Sequence, residues 1–505
     1  MAKTPASSGP KAASPGPPAK AGRVGVVDIG SNTVRLVVYD TPTRLPIPMF
    51  NEKARCGLGE GLGKSRKLNK EGVARAMEAM ARFVHLAGAM GVERLDVVAT
   101  SAVREAKDGP AFAAQLEKRF GCRVEVLSGA EEARLAALGL LSGVPDADGL
   151  LGDLGGGSLD LVVIDHGAFG QYATTPLGHL RLAEEARGKP KKAQSFIARH
   201  LDGLSFIKEI KGRTFYAVGG SWRGLARLFI EQTNYPLHVI DNYTISRGDA
   251  LKLSRLIAGL GPKSMTRVAG ISPRRLENLP LAAMAMEALV EMARPKEVVF
   301  SGFGLREGQL LKGLPGGLRD QDPLISGCAT LAEHSGRFSI SGDEIMEWMG
   351  PMFAGETPRE RRLRYAACLL ADIGWSEHPD YRAEHVFHRV LRLPFAGLSH
   401  RDRVLLAEAV FVRYNGDPWA RVVAPVRNML DDEQLSWGRT VGLALRLGHT
   451  ISGSAPGLLA ETSVRLNERK LILGLNGKEE LFASEAVKRR LKTLARSMGL
   501  KGRIE

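Results

Sequence analysis

Two fourteen-residue segments of this 505-residue chain superpose without a gap, and that internal repeat limits the fold more than any other feature. Val27-Asp-Ile-Gly-Ser-Asn-Thr-Val-Arg-Leu-Val-Val-Tyr-Asp40 matches Gly152-Asp-Leu-Gly-Gly-Gly-Ser-Leu-Asp-Leu-Val-Val-Ile-Asp165 at six of fourteen positions, including Asp28 with Asp153 and Gly30 with Gly155. Each copy reads as strand, acidic-glycine turn, strand, which predicts two similar half-domains, 125 residues apart in sequence, facing one another. Hairpins in general share alternation and turn glycines, and that is the competing explanation.

Around the repeat, short β-branched runs alternate with longer helical stretches. Val24–Val27, Val34–Tyr39, Leu95–Ala99, Val124–Leu127, Leu161–Ile164, Phe215–Val218 and Val298–Phe300 read as strands, while Val73, Met77, Met80 and Val84 recur at helical spacing. This is an α/β pattern. From about residue 320 the β-rich runs largely vanish, and 359–374, 382–393, 401–414 and 484–498 read as helices. The predicted organisation is a tail over 1–22, a first half over 23–138, a second over 139–318 and a helical domain over 319–505. In the last helix Val487, Leu491, Leu494 and Met498 form an apolar stripe with basic residues on the other faces.

The turns have a chemistry of their own. A strand-ending aspartate followed by Gly-Ser-Asn-Thr or Gly-Gly-Gly-Ser leaves backbone N–H groups unobstructed, and Ser31, Asn32, Thr33 and Ser158 add side-chain donors, so each turn can wrap a phosphate. Bonds to anionic oxygens are charge-assisted and strong. Asp28, Asp153 and Asp160 cannot bind phosphate directly, but they suit a magnesium ion bridging carboxylate and phosphate; Asp153 and Asp160, on the two arms of one hairpin, can both reach one ion. The segment Val97–Arg104 ends in hydroxyls and an arginine whose planar fork fits phosphate oxygens. Glu131 and Glu132 fall in the first turn of a helix. Acids there complement the helix dipole without any catalysis; equally, a carboxylate near two phosphate turns can take a proton from an attacking water.

Lys plus Arg is 70 against 55 Asp plus Glu, a net +15 with pI near 9.7, which points to a polyanionic partner. Residues 319–505 hold 27 basic and 24 acidic side chains, so +12 of the +15 lies in residues 1–318. Cys56, Cys122, Cys328 and Cys368 are scattered with no CxxC pair, which argues against a disulfide framework and a cysteine zinc site and for a reducing cytoplasm. The Pro, Ala, Ser and Gly-rich N-terminus has no apolar core of a signal peptide and is expected to be disordered, and no apolar run is long enough to span a membrane.

The motifs VVDIGSNTVRL, VVATSAVREA, VLSGAEEARLA, GDLGGGSLDLV and SGFGLREG, in this order, resemble the exopolyphosphatase and guanosine pentaphosphatase (Ppx/GppA) family of the actin, Hsp70 and sugar kinase superfamily. The resemblance implies two ribonuclease H-like halves followed by an all-α HD-like domain, and processive magnesium-assisted hydrolysis of the terminal phosphate of inorganic polyphosphate. Alternatives are hydrolysis of the 5'-phosphate of guanosine pentaphosphate, phosphoryl transfer from polyphosphate to a nucleotide, or, from another class, a non-enzymatic sensor that binds polyphosphate or an alarmone such as guanosine penta- or tetraphosphate. It implies Glu132 as general base, Asp153 as a metal-associated carboxylate, and Ser31, Asn32, Arg104, Gly155, Gly156, Gly157 and Ser158 around the phosphates. It further implies a homodimer, while the scattered cysteines point to the cytoplasm, and the paired turns and the lack of a long apolar run lead us to expect neither a nucleic acid nor a membrane as partner.

This chain departs from the family pattern in places. Leu159-Asp160 replaces the usual threonine and glutamate, and the turn Gly219-Gly-Ser221-Trp222 sets an indole beside a site where substrate preference can change. In the helical domain Ala371-Asp372 occupies the His-Asp position of HD enzymes, so His378, His385 and His388 are not expected to form a second metal site. Gly57, Gly59, Gly61 and Gly63 lack dinucleotide-loop spacing and read as a phosphate-side loop with Lys53, Arg55, Lys64, Arg66 and Lys67.

Overall fold

Each β-branched run forms a strand. In the computed structural model, which describes residues 22–40, 43–45, 47–260, 276, 278–335 and 342–505, the first half is a five-stranded sheet. Its strands are β1 (Arg23–Ile29), β2 (Thr33–Tyr39), β3 (Pro48–Arg55), β4 (Val92–Ala99) and β5 (Val124–Val126), in the order β3-β2-β1-β4-β5. The second half contains β6 (Gly149–Leu154), β7 (Leu159–Asp165), β8 (Ala168–Thr175), β9 (Thr214–Val218), β10 (Tyr243–Ser246) and β11 (Glu297–Phe300), ordered β8-β7-β6-β9-β11-β10. Apart from the added antiparallel edge β10, the two orders are the same, and in both a three-stranded antiparallel meander continues into two parallel strands.

The repeat is preserved residue by residue. Asp28 pairs with Arg35 across the first hairpin and Asp153 with Asp160 across the second. Gly30 N–H donates to Thr33 O at 2.9 Å and Gly155 N–H to Ser158 O at 3.0 Å, closing both turns in the same way. Parallel strands need long crossovers, and helices supply them. One is Lys70–Ala89, whose start is fixed by Asn69 Oδ1 accepting from Gly72 N–H at 2.7 Å and whose Met77, Met80 and Phe83 are buried under the first sheet.

Helices Gly129–Gly143 and Leu305–Lys312 cross between the sheets with their backbones touching. A Cβ on Gly139 would lie 2.0 Å from Gly304 O, and one on Gly308 would lie 1.9 Å from Leu135 O. Only glycine fits at either place. This contact brings the N-termini of both helices toward the space between the two turns.

The C-terminal domain is helical as expected, with helices Pro358–Leu370, Arg382–Arg392, His400–Arg413 and Glu485–Ser497 close to their predicted spans. It also carries a small sheet that the sequence reading did not contain: β12 (Ser463–Asn467), β13 (Lys470–Gly474) and β14 (Lys501–Ile504). In the last helix Val487, Leu491 and Leu494 are buried as the stripe requires. The domain docks on the second half through His400, whose Nδ1 lies 3.0 Å from Tyr235 OH and whose Nε2 lies 3.0 Å from Asp241 O. Among the described residues all four cysteines are free thiols, and no helix is long and apolar enough to cross a membrane. The N-terminal tail, residues 1–21, lies outside the described residues.

Candidate active site

The carboxyl ends of the central strands in both sheets open on one cleft of about 1270 Å³, where α/β sheets usually bind ligands. Its two turns touch. A Cβ on Gly156 would be 3.0 Å from Ser31 Cβ, and one on Gly157 would be 2.7 Å from Ser101 Oγ and 2.9 Å from Ser31 Oγ. The Ser31 and Ser101 hydroxyls are themselves bonded at 2.8 Å. The N–H groups of Ser31, Asn32 and Gly156 donate to no backbone acceptor among the described residues. Two helix N-termini add more donors, one beginning at Gly220 and one at Leu305, with Gly219, Gly220, Ser221 and Leu305 lining the cleft.

The two adjacent glutamates divide the alternatives between them. Glu131 caps its helix: its Oε2 accepts from Ser128 N–H at 2.8 Å and Oγ–H at 2.7 Å, while Ser128 Oγ accepts from Glu131 N–H at 3.2 Å. Glu132, one position on, turns into the cleft and is 8% exposed. Its Oε2 accepts from Arg104 Nη1 at 2.7 Å. Burial raises the Glu132 carboxyl, Arg104 opposes that, and Asp153 and Asp28 reinforce it.

The other carboxylates are also held above their ordinary range. Asp153 is pushed up to about 6 by burial against the pull of Arg223, with Asp28 adding to the rise. Asp160 is raised well above the carboxylate range, first by burial and then by Glu132, although Thr174 Oγ1 donates to it at 2.6 Å. Asp28 is raised by burial against Arg306 and Arg35. Four cleft acids, all held above their ordinary range and three of them raised in part by another of the four, are an arrangement a cation would relieve.

Among the described residues, the three-membered ligand group with all its atoms within 4.8 Å is Asp148, Asp165 and His166. It lies at the far ends of β6 and β7, where Arg213 already pairs with Asp148. The cleft acids therefore do not make an all-protein cage. One or two carboxylates completed by substrate phosphate oxygens is the way magnesium usually binds, and Asp28, Asp153 and Asp160 fit that pattern.

Several predicted ligands are placed differently. Arg104 is engaged by Glu132 and by Leu127 O at 2.9 Å, so its fork orients the glutamate and does not line the cleft. Ser158 is 2% exposed with its hydroxyl turned toward Asp160 at 3.5 Å, and Gly157 is spent on contact between the turns. Asp28, Ser31, Asn32, Thr33, Gly155 and Gly156 line the cleft with Glu132, Asp153 and Asp160. The Trp222 indole is not beside the substrate space. It is fully buried, packed edge-on to Phe215, with Nε1–H donating to Ala282 O at 3.1 Å.

Lys53 and Arg55 line the cleft, whereas Lys64, Arg66 and Lys67 are exposed beyond it; the glycine loop instead buttresses the first turn, with Gly59 N–H donating to Ser31 O at 2.8 Å. In the C-terminal domain His378 and His385 are exposed and each sits beside an acid of its own segment, while Asp372 pairs with Arg413 at 3.5 Å.

Four cleft arginines, Arg35, Arg223, Arg227 and Arg306, were not singled out from the sequence. Arg35 faces Asp28 across the first hairpin, Arg223 donates to Gly302 O at 3.2 Å, and Arg306 is 8% exposed with its Nη1 buried and partnerless among the described residues. Asn32 Oδ1 is likewise buried without a partner. Burial alone would lower Arg306, but Glu307 and Asp28 more than offset it. Arg306 sits inside the SGFGLREG motif, a signal that was available, and Arg35 is the repeat partner of Asp160.

Residues 37–316 match the family model described as the Ppx/GppA phosphatase family, and 324–504 match the one described as exopolyphosphatase, C-terminal. Retrograde regulation protein 2 of Saccharomyces cerevisiae is 27% identical over 443 residues, covering 78% of this chain and 73% of that protein. Exopolyphosphatase 2 of Mycobacterium tuberculosis is 26% identical, covering 54% of this chain and 92% of its own length. Guanosine-5'-triphosphate,3'-diphosphate pyrophosphatase of Aeromonas salmonicida is 22% identical over 76% of this chain and 79% of its own. The crystal structure of an exopolyphosphatase from Cytophaga hutchinsonii superposes with a TM-score of 0.53 at 23% identity, over 58% of this chain and 99% of that one, and supports the fold of the two halves. With its duplicated sheets, paired turns and a family match over more than half its length, the chain belongs to the Ppx/GppA phosphatase family.

Proposed function

We propose that the protein is an exopolyphosphatase that removes terminal phosphate from inorganic polyphosphate. The observation that carries this reading is the pair of touching turns, with N–H groups at Ser31, Asn32 and Gly156 that meet no backbone acceptor among the described residues and the Glu132 carboxylate facing the same cleft. The terminal phosphoryl group binds to those N–H donors, and the two helix N-termini, Arg223 and Arg306 take up its remaining negative charge. Glu132, oriented by Arg104, accepts a proton from water as the water oxygen bonds to phosphorus. The bridging P–O bond breaks, orthophosphate leaves, and the chain is one unit shorter. Asp153 with Asp28 or Asp160 would hold magnesium, which when bound neutralises developing charge on the phosphate oxygens.

The same proposal includes a cytoplasmic setting, supported by four free thiols, and a homodimer, as the family resemblance implies. The Aeromonas relative makes guanosine pentaphosphate the substrate to compare. The test is orthophosphate release from polyphosphate of graded length and from guanosine pentaphosphate, with magnesium and with chelator. Faster release from long polyphosphate is expected. Release from the nucleotide alone would replace the substrate, and tight polyphosphate binding without release would make the protein a sensor.

A further inference from the structure

The helix His179–Ala186 starts against the second turn, and its first side chain is tied there. His179 Nδ1 lies 2.9 Å from Gly155 O and 3.2 Å from Ser221 Oγ, and the His179 backbone N–H donates to the same Gly155 carbonyl at 3.2 Å. A carbonyl oxygen only accepts, so the proton of the neutral ring is on Nδ1. Burial holds the imidazole below its ordinary value, with Lys53 and Arg55 adding to the effect. Nε2 then has a lone pair and no proton, and it makes no hydrogen bond among the described residues.

Two consequences follow from that tautomer. The Gly155–Gly156 peptide is trans, so anchoring the Gly155 carbonyl aims the Gly156 N–H in the opposite direction. That N–H has no backbone acceptor among the described residues, and Gly156 lines the cleft. Second, Ser221 Oγ shares the Nδ1–H as an acceptor, which leaves its own proton to be donated elsewhere, and Ser221 also lines the cleft. One imidazole N–H thus sets two donors on separate elements, the turn after β6 and the helix after β9.

We propose that His179 is a positioning residue of the phosphate site, aiming the Gly156 N–H and the Ser221 hydroxyl at substrate oxygens without donating to the substrate itself. This rests on the phosphate-cleaving reading of the cleft. His179→Asn and His179→Ala separate the role from mere space filling, because Asn Nδ2–H occupies the place of His Nδ1–H while Ala leaves nothing there. His179→Ala is expected to lower kcat/KM on polyphosphate roughly tenfold or more, in line with losses from misaimed donors. His179→Asn should stay within about threefold of wild type. Adding Ser221→Ala to His179→Ala should cost less than it does in the wild-type background, since the hydroxyl is already misdirected.

Imidazole 15N shifts, assigned by difference with His179→Asn, should report the Nδ1–H tautomer whether or not the protein turns over. Calorimetric binding of tripolyphosphate to wild type and both variants supplies a second readout independent of activity, with Ala weakened and Asn not. Wild type that releases no phosphate would overturn the functional reading alone. An Nε2–H tautomer, or an Ala variant matching wild type in both binding and turnover, would overturn the role of His179.

Discussion

Replacing Glu132 with glutamine keeps the side-chain shape and removes the proton acceptor. Gln Oε1 can still accept from Arg104 Nη1, now 2.7 Å from Glu132 Oε2, so the local geometry survives. Asp160 and Asp153, both raised in part by Glu132 or its neighbours, lose a like charge, and the variant should therefore fold at least as well as wild type. General-base catalysis contributes about 10² to 10⁴ in rate, which at about 1.36 kcal/mol per tenfold is about 3 to 5 kcal/mol of barrier. The expected result is a kcat on polyphosphate reduced at least about a hundredfold, with Kd for tripolyphosphate changed less than about threefold. Arg104→Met gives the complementary signature. Arg104 lowers the Glu132 carboxyl, so its removal should shift the acid limb of the kcat–pH profile upward: activity is lost near neutral pH and partly regained as pH rises. A Glu132→Gln variant with near wild-type kcat would refute the assignment. So would an Arg104→Met profile of unchanged shape.

In the C-terminal core Glu408 is fully buried, both its oxygens lack partners among the described residues, and burial raises it from 4.5 to about 7 against Arg427 and Arg439. A folded value above the unfolded one means native stability falls as pH climbs from 4.5 to 7, by about 3 kcal/mol at about 1.36 kcal/mol per unit; Glu408→Gln should match wild type in urea melts at pH 4.5 and exceed it by up to that amount at pH 8. A gap that is constant with pH would count against this. Gly157→Ala forces a methyl against the Ser31 and Ser101 hydroxyls, at 2.9 and 2.7 Å, and should push the two turns apart, costing about 1–3 kcal/mol in a thermal melt and at least about tenfold in kcat/KM. Arg306→Met removes a buried cation whose Nη1 has no partner among the described residues; hydrogen bonds to charged groups are worth about 1.5–3 kcal/mol, so KM for polyphosphate should rise about ten- to a hundredfold with kcat affected less.

What could be read from the sequence was what local chemistry determines. The two turns, their aspartates and the β-branched strands are properties of contiguous residues, and they stand where the pattern put them. The edge strands β3 and β8 escaped notice because both are largely exposed and neither has the apolar run of a buried strand. β14 is a tetrapeptide, Lys501–Ile504, that becomes a strand only by pairing with β13, some thirty residues earlier. Glu131 and Glu132 could not be assigned from their neighbours, since the capping bond to Ser128 takes one and the turn of the helix sends the other into the cleft. Trp222 was misplaced for the same reason: which face of a helix meets the core is a tertiary fact.

The same distinction changes what the excess of positive charge means. The cleft is not simply a basic hole. Arg35, Lys53, Arg55, Arg223, Arg227 and Arg306 stand among Asp28, Glu132, Asp153, Asp160 and Glu307, and each acid is felt by at least one of those arginines or by Arg104. A site with acids and bases so closely matched has little net field with which to draw in a polyanion, so attraction over distance falls to the dispersed charge of the first 318 residues. Recognition at the terminal phosphate falls instead to neutral N–H groups at fixed positions, which do not repel a cation arriving with the substrate. Duplicating the hairpin puts such donors on both walls of the cleft, while the change from Arg35 to Asp160 at equivalent positions pairs Asp28 with a cation on one hairpin and Asp153 with a second acid on the other.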